Sequence, residues 1–200
     1  MLSTLYEATG MMEVAARTGA ELNYDLSSLR VDCPQARALR TLDIAGAVAH
    51  ADAVINLPKL KTHGLLQLTA AVKNLFGVVP GLIKGAYHAR FPSVERFSTM
   101  LVDIVQYVRP VLNVVDAVVA MEGDGPSAGT LRKVGLLIAG GDAYAVDVVC
   151  ADVIGMSPGS VQSIAAAVRR GLSGVRVEDI ELHGPSLSEV RVAPFRLPST

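Results

Sequence analysis

Two lysines and a histidine stand at alternate positions in Ile55-Asn56-Leu57-Pro58-Lys59-Leu60-Lys61-Thr62-His63-Gly64. Alternate side chains of an extended segment point the same way, so Lys59, Lys61 and His63 can share one face. A second basic set follows: Lys73-Asn74 in Ala71-Val72-Lys73-Asn74-Leu75-Phe76-Gly77, then Lys84 and His88. No acidic residue occurs from Lys59 to Phe91. Such a patch would attract a carboxylate or a phosphate, and His63 and His88 would transfer protons, because imidazole titrates near cellular pH. From the spacing of Lys59, Lys61 and His63 alone, a solvated loop with ordinary surface lysines remains an open alternative. Lys73 sits among Ala, Val, Leu and Phe, where a lysine either snorkels or holds a ligand.

Acids supply the rest of the chemistry. Asp116 lies inside Leu112-Asn113-Val114-Val115-Asp116-Ala117-Val118-Val119-Ala120, read as a buried strand. A buried carboxylate is costly unless it is paired or bound to metal, so Asp116 is either half of a structural pair or a metal ligand or general base. Glu122 follows and opens Glu122-Gly123-Asp124-Gly125-Pro126. Gly123 and Gly125 allow close backbone approach to a ligand, although plain turn chemistry explains them too. Asp142 reads as a helix N-cap. Asp147, among Val, Ala and Cys, suits a polar site or a buried pair.

These residues need elements to position them. The run at 53–57 reads as a strand ending at Pro58, which would put the cations at a strand's carboxyl end, where open α/β sheets bind ligands. Helical spacing is expected at 3–18, a period-two strand at 20–26, and a loop or edge strand at 31–38. A helix at 42–50 would carry Asp43 in its first turn. Another is expected at 69–76, with Thr69 as N-cap and Gly77 as its stop. Residues 77–92, with three glycines and two prolines, read as a long exposed loop of the functional kind. Ser93 opens an amphipathic helix that Pro110 follows. Strands follow at 111–120 and 134–139 around a glycine-rich turn at 123–129. Asp142 starts a helix to about Ile154, Ser160 another ending near Gly171, and 180–182 a last short strand. The alternation gives an α/β fold with a mixed, mainly parallel sheet covered by helices, one domain over 1–200 with a tail at 185–200.

Composition narrows the function. Half of the 200 residues are hydrophobic, 18% are charged, and the net charge is −1. The balance argues against nucleic-acid binding, and five Tyr, four Phe and no Trp make a poor base-stacking platform. Mean hydropathy is +0.40, yet no apolar run is long enough to span a bilayer, so no membrane insertion is expected. The start shows no signal peptide. The two cysteines, Cys33 and Cys150, cannot supply the four thiolates of an iron–sulfur cluster. Cys150 reads as a core residue and the compartment as the reducing cytoplasm. The chain shows no GxSxG, P-loop, GxGxxG or HExxH signature.

Four ordered motifs carry a resemblance: Ile55 to His63, Ala71 to Gly77, Glu122 to Pro126, and Ala145-Val146-Asp147. Together they resemble the family called domain of unknown function 362, over about residues 9–184. The resemblance implies a shared fold and site but no settled reaction. Members often carry a ferredoxin segment, so it implies an iron–sulfur association, a redox setting and a ferredoxin-like partner. Without a cysteine cluster, iron–sulfur binding is not carried over to this chain, and its cofactor stays unassigned. Two substitutions depart from the family pattern: Asp124 where Asn is common, and Ala143 where Pro is common. Members also begin with a longer region, so the chain is expected to be a shortened member with an uncovered strand edge or apolar face, prone to form homo-oligomers.

The combined expectation is an enzyme-like domain. Lys59, Lys61, Lys73 and Lys84 would neutralise a small anionic ligand, with Asn74, Gly123, Gly125 and Asp147 beside it. Asp116 and Glu122 would orient a lysine or bind a divalent ion. The rivals are a non-enzymatic module that docks to a ferredoxin-like partner through the basic segment 77–92, and a shortened remnant without function.

Overall fold

In the computed structural model, residues 2–172 and 174–199 are described. Two short helices, α1 (Leu2–Ala8) and α2 (Met11–Thr18), replace the single helix expected at 3–18. The break falls at Gly10, whose φ of +72° is left-handed. Neither helix buries a side chain. The strand expected at 20–26 does not form, because that segment has no pairing partner and Leu26 is exposed. The pairing strands are β1 (Ser28–Asp32) and β2 (Thr41–Ala45), an antiparallel two-stranded sheet. The helix expected over 42–50 is therefore mostly strand. Leu42 and Ile44 alternate into the core and set the period to two. Only one helical turn, α3 (Gly46–Ala49), follows.

The main sheet is built around β6 (Leu112–Glu122). One edge of β6 pairs antiparallel with β7 (Thr130–Gly140) along most of its length. Its other edge pairs parallel with β3 (Ile55–Asn56) and then with β4 (Lys59–His63). β4 in turn pairs antiparallel with β5 (Gln67–Thr69). The sheet is thus mixed, in an α/β fold. Contrary to the expectation from sequence, the chain does not leave the sheet at Pro58. Proline has no N–H to give, but the Pro58 carbonyl accepts from the Asp116 N–H at 2.8 Å. The ladder loses one donor there, and the strand resumes at Lys59.

Helices lie on one face of this sheet. Its inward residues, among them Leu60, Thr62, Leu68, Val115, Ala117 and Ala120, are buried. Helix α4 (Ala71–Asn74), continued as a tighter turn over Leu75–Val78, and α7 (Ala143–Val153) pack against the strands. Behind them α6 (Val94–Val108) packs on α4 and on α8 (Gln162–Arg170). Ser93 caps α6 by accepting from the Arg96 N–H, and Asp142 caps α7 by accepting from Tyr144 and Ala145. The opposite face is open: Leu57 and Leu131 are each 69% exposed and Leu137 67%.

Residues 77–92 are not the long loop expected. They contain α5 (Gly81–Arg90). Two glycines lower its intrinsic propensity, but Tyr87 and Phe91 anchor it in the core, and tertiary burial decides. The strand expected at 180–182 is absent. That segment has no ladder partner, and a short helix α9 (Leu187–Val190) follows it.

Candidate functional site

The site grows from α4, the one-turn helix that carries Lys73 and Asn74. Its first N–H groups need an acceptor. Thr69, the N-cap expected from sequence, belongs to β5, and the true cap position is Ala70, which has no side chain to offer. The acceptor comes from another helix. The Asp147 carboxylate of α7 takes the Ala71 N–H at 2.6 Å and the Val72 N–H at 3.4 Å. Asp147 is 1% exposed, and burial pushes its pKa up to about 7 in spite of those amide bonds. Asp147 is thus a positioning residue, holding α4 from behind.

Asn74 ties the other end of the turn. Its side-chain amide donates to Asn56 Oδ1 at 2.8 Å. Asn56 donates in turn to Asn113 Oδ1 and to the Ala71 carbonyl, both at 2.9 Å. Asn113 donates to the Gly140 carbonyl at 3.1 Å. A chain of three amides therefore fixes α4 to β3, β6 and β7. Asn56 and Asn113 were legible only as lone amides inside apolar strands, and the sequence reading did not single them out.

Held in this way, Lys73 lies among aromatic rings. Its Nζ is 4.8 Å from the centre of the Phe76 ring and 5.8 Å from that of Phe97. The Lys84 ammonium, from α5, stands 5.8 Å from the same Phe76 ring. His88, one turn further along α5, stacks on Phe97 with centroids 4.6 Å apart. Burial, helped by the Lys84 charge, pulls Lys73 down to about 8. Burial and then the Lys73 charge also lower His88. His63 joins the group from the end of β4: burial first, then Lys73 and His88, lower it to about 4. Its Nδ1 accepts from the Leu65 and Leu66 N–H groups at 3.1 and 3.3 Å. The neutral ring therefore carries its proton on Nε2. Among the described residues, no carboxylate lies within ion-pair distance of Lys73 or Lys84.

The remaining expected residues are engaged elsewhere. Asp116 is not buried. It projects from the open face of β6, 48% exposed, and pairs with Lys59 at 2.7 Å. The Lys59 hydrogen bond holds its carboxyl below the usual range. Lys61 donates to the Pro126 carbonyl at 3.3 Å. Glu122 is bound by Arg132 at 2.6 Å and by Arg196 at 3.0 Å. Burial opposes its charge, but these two guanidiniums and the Arg196 N–H keep its pKa low. The sequence reading missed both arginines. Gly123 and Gly125 serve the chain itself. Thr62 donates to the Gly123 carbonyl at 2.8 Å, and a Cβ on Gly125 would lie 2.2 Å from the Thr62 carbonyl oxygen. Asp124 accepts from the N–H and hydroxyl of Ser199. The Glu122–Pro126 turn is a clasp that joins β4, β7 and residues 193–199.

Among the described residues, no three His, Cys, Asp or Glu side chains are placed to hold a metal ion. Asp116 and Glu122, expected to orient a lysine or bind a divalent ion, are held by Lys59 and by the two arginines. A cavity of about 390 Å³ lies between β7, α7 and residues 180–190, and one of about 320 Å³ beside Cys33, Asp103 and Arg170. Neither contains the lysine–histidine group. Among the described residues, no helix is long and apolar enough to cross a membrane.

Comparison with known proteins bears on these motifs. The model of a family described as a domain of unknown function, DUF362, matches residues 2–152. A thylakoid-associated protein of Synechocystis sp. is 43% identical over 129 residues. Those residues are 64% of this chain and 40% of that protein, so the chain spans about two fifths of its relative's length. No solved structure matches the chain.

Proposed function

The chain belongs to the DUF362 family, and we propose that its domain binds a small anion, a carboxylate or a phosphate, between Lys73 and Lys84. One observation carries this reading. Two ammonium groups converge on the Phe76 ring with no carboxylate beside them among the described residues. Partly desolvated like charges repel each other and lack compensation. An incoming anion supplies it. His63 would present its Nε2–H to the anion as a neutral donor, because at about 4 its pKa lies too low for it to be cationic in the cell. His88 would be the proton carrier. Asp147 and Asn74 act through α4, by fixing where Lys73 stands. Lys59 and Lys61 contribute field at longer range.

A second reading rests on α5. This helix exposes Leu82 completely near its start, and Arg90 at its end. A cationic helix with an apolar tip suits docking to an acidic ferredoxin-like protein, which would place the domain in a redox pathway as an iron–sulfur-associated member of its family. A cytoplasmic location is compatible with both readings, and the relative's thylakoid association adds a membrane-proximal variant of it.

Thermal melts in phosphate, succinate and citrate test the main reading. A ligand at about 100 times its dissociation constant stabilises by roughly 2.7 kcal/mol. Lys84→Met should abolish that gain. Melts that do not move across the panel reject the anion site. Salt-sensitive binding to a ferredoxin in their place would support the docking helix.

A further inference from the structure

Resting on that anion site, we propose that Lys73 is a nucleophilic amine that forms an imine with the carbonyl group of an oxo-carboxylic acid, whose carboxylate Lys84 holds. The argument begins with what Lys73 lacks. A lysine with a carboxylate partner is locked as an ammonium and cannot attack. Lys73 has two aromatic rings beside it, a second ammonium nearby and no acid at ion-pair distance among the described residues. Desolvation and a neighbouring cation are the two recognised ways to free a lysine's electron pair. Its lowered proton affinity agrees with this placement. At pH 7 about a tenth of such an amine is unprotonated, against less than about a thousandth for an ordinary lysine.

Rigidity supports the same role. A nucleophile must be held near its attack geometry. A short helix on a flexible loop would not do that. Here the one-turn α4 is fixed by the Asp147 carboxylate at one end and by the Asn74–Asn56–Asn113 amides at the other. Lys61 and Lys59, by contrast, are taken up by the Pro126 carbonyl and by Asp116. Anion binding alone does not call for a rigidly held, desolvated amine, whereas a nucleophilic lysine is favoured by both.

The step balances without an oxidant or reductant. The Lys73 Nζ electron pair bonds to the carbonyl carbon, and the C=O π pair moves to oxygen. Two protons from the nitrogen pass to that oxygen, which leaves as water, so amine plus ketone gives imine plus water. A further proton from solvent makes the iminium. His88, on the Phe97 ring that Lys73 also approaches, is the group placed to relay protons. His63 offers its Nε2–H to the departing oxygen.

Borohydride trapping with pyruvate, the simplest oxo-acid, tests this on the full chain. Intact mass and peptide mapping should find one reduced pyruvate adduct on Lys73, suppressed by excess succinate and absent from Lys73→Arg. Lys61 and Lys84 in the same digest serve as internal controls, so the outcome does not depend on that variant folding. Equal labelling of the three lysines overturns the proposal. So does no adduct while succinate still raises the melting temperature, an outcome that leaves the anion site standing. No adduct together with no succinate effect overturns both.

Discussion

Replacing Lys73 with Met should make the unliganded protein more stable at neutral pH. Met keeps the length and apolar character of the side chain and removes only the charge. The folded domain holds this ammonium against its preference, as shown by its fall from 10.5 to about 8. At about 1.36 kcal/mol per tenfold that is a penalty of roughly 3 kcal/mol. Contacts with the Phe76 and Phe97 rings return roughly 1 kcal/mol of it, so a net gain of about 2 kcal/mol is expected for Lys73→Met at pH 7. The sign of the pH dependence is fixed. Between pH 8 and about 10.5 the unfolded chain keeps the Lys73 proton while the folded chain has lost it, so wild-type stability rises with pH there. The advantage of Lys73→Met should therefore be full below pH 8 and vanish by about pH 10.5. Urea unfolding of both proteins at a series of pH values measures this directly. If Lys73→Met is less stable than wild type at pH 7, the lysine is a structural group and the reasoning from an uncompensated charge is wrong.

Other predictions concern the supports. Asp116→Asn should cost about 1 kcal/mol or less, since both partners of the Lys59 pair are about half exposed and such pairs are weak; a loss of several kcal/mol in urea melts would mean that the open face is covered in solution. Asp147→Ala should cost about 1–3 kcal/mol at pH 5, because it orphans the Ala71 and Val72 N–H groups. Folding raises the Asp147 pKa from 3.8 to about 7, so its contribution is full below about pH 4 and fades towards pH 7. The gap between variant and wild type should narrow over that window, and a widening gap would contradict a buried carboxylate. The apolar open face should make this chain self-associate; sedimentation as a compact monomer at high concentration would count against that.

Much of the framework was legible because local signals agreed with burial. Ser93 and Asp142 are capping residues followed by apolar helical spacing, and α6 and α7 start at them. β6 was legible as an apolar run. What failed did so for identifiable reasons. Ile44, Ala45, Val48 and Ala49 also fit helical spacing, and pairing with β1 is what makes 41–45 a strand. Glycines and prolines in 77–92 suggest a loop, yet Tyr87 and Phe91 are deep enough in the core to enforce a helix. Pro58 looks like a strand end, because its carbonyl bond to Asp116 is invisible in one dimension. The face that Asp116 takes was misread for a similar cause: an apolar run says that a strand is central, not that both sides are covered. The basic residues were individually visible, but their division was not. Lys73, Lys84 and His88 gather around two phenylalanines with His63 close by, while Lys59 and Lys61 find partners on β6 and at Pro126.

The parallel pairing of β4 with β6 also bears on the order in which the chain can fold. Lys59 opposes Asp116 across the ladder, 57 residues later in sequence, whereas Glu122 opposes Thr130 only 8 residues on. Loop closure grows as three halves of RT times the logarithm of loop length, roughly 3.6 kcal/mol for the first and 1.8 for the second. The β6–β7 hairpin is the half of the sheet that closes at lower entropic cost. During synthesis β4 can pair at once with β5, but its parallel neighbour β6 emerges much later. Until β6 follows, Lys59 lacks its carboxylate partner, so the most chemically informative segment of the chain waits for its second edge.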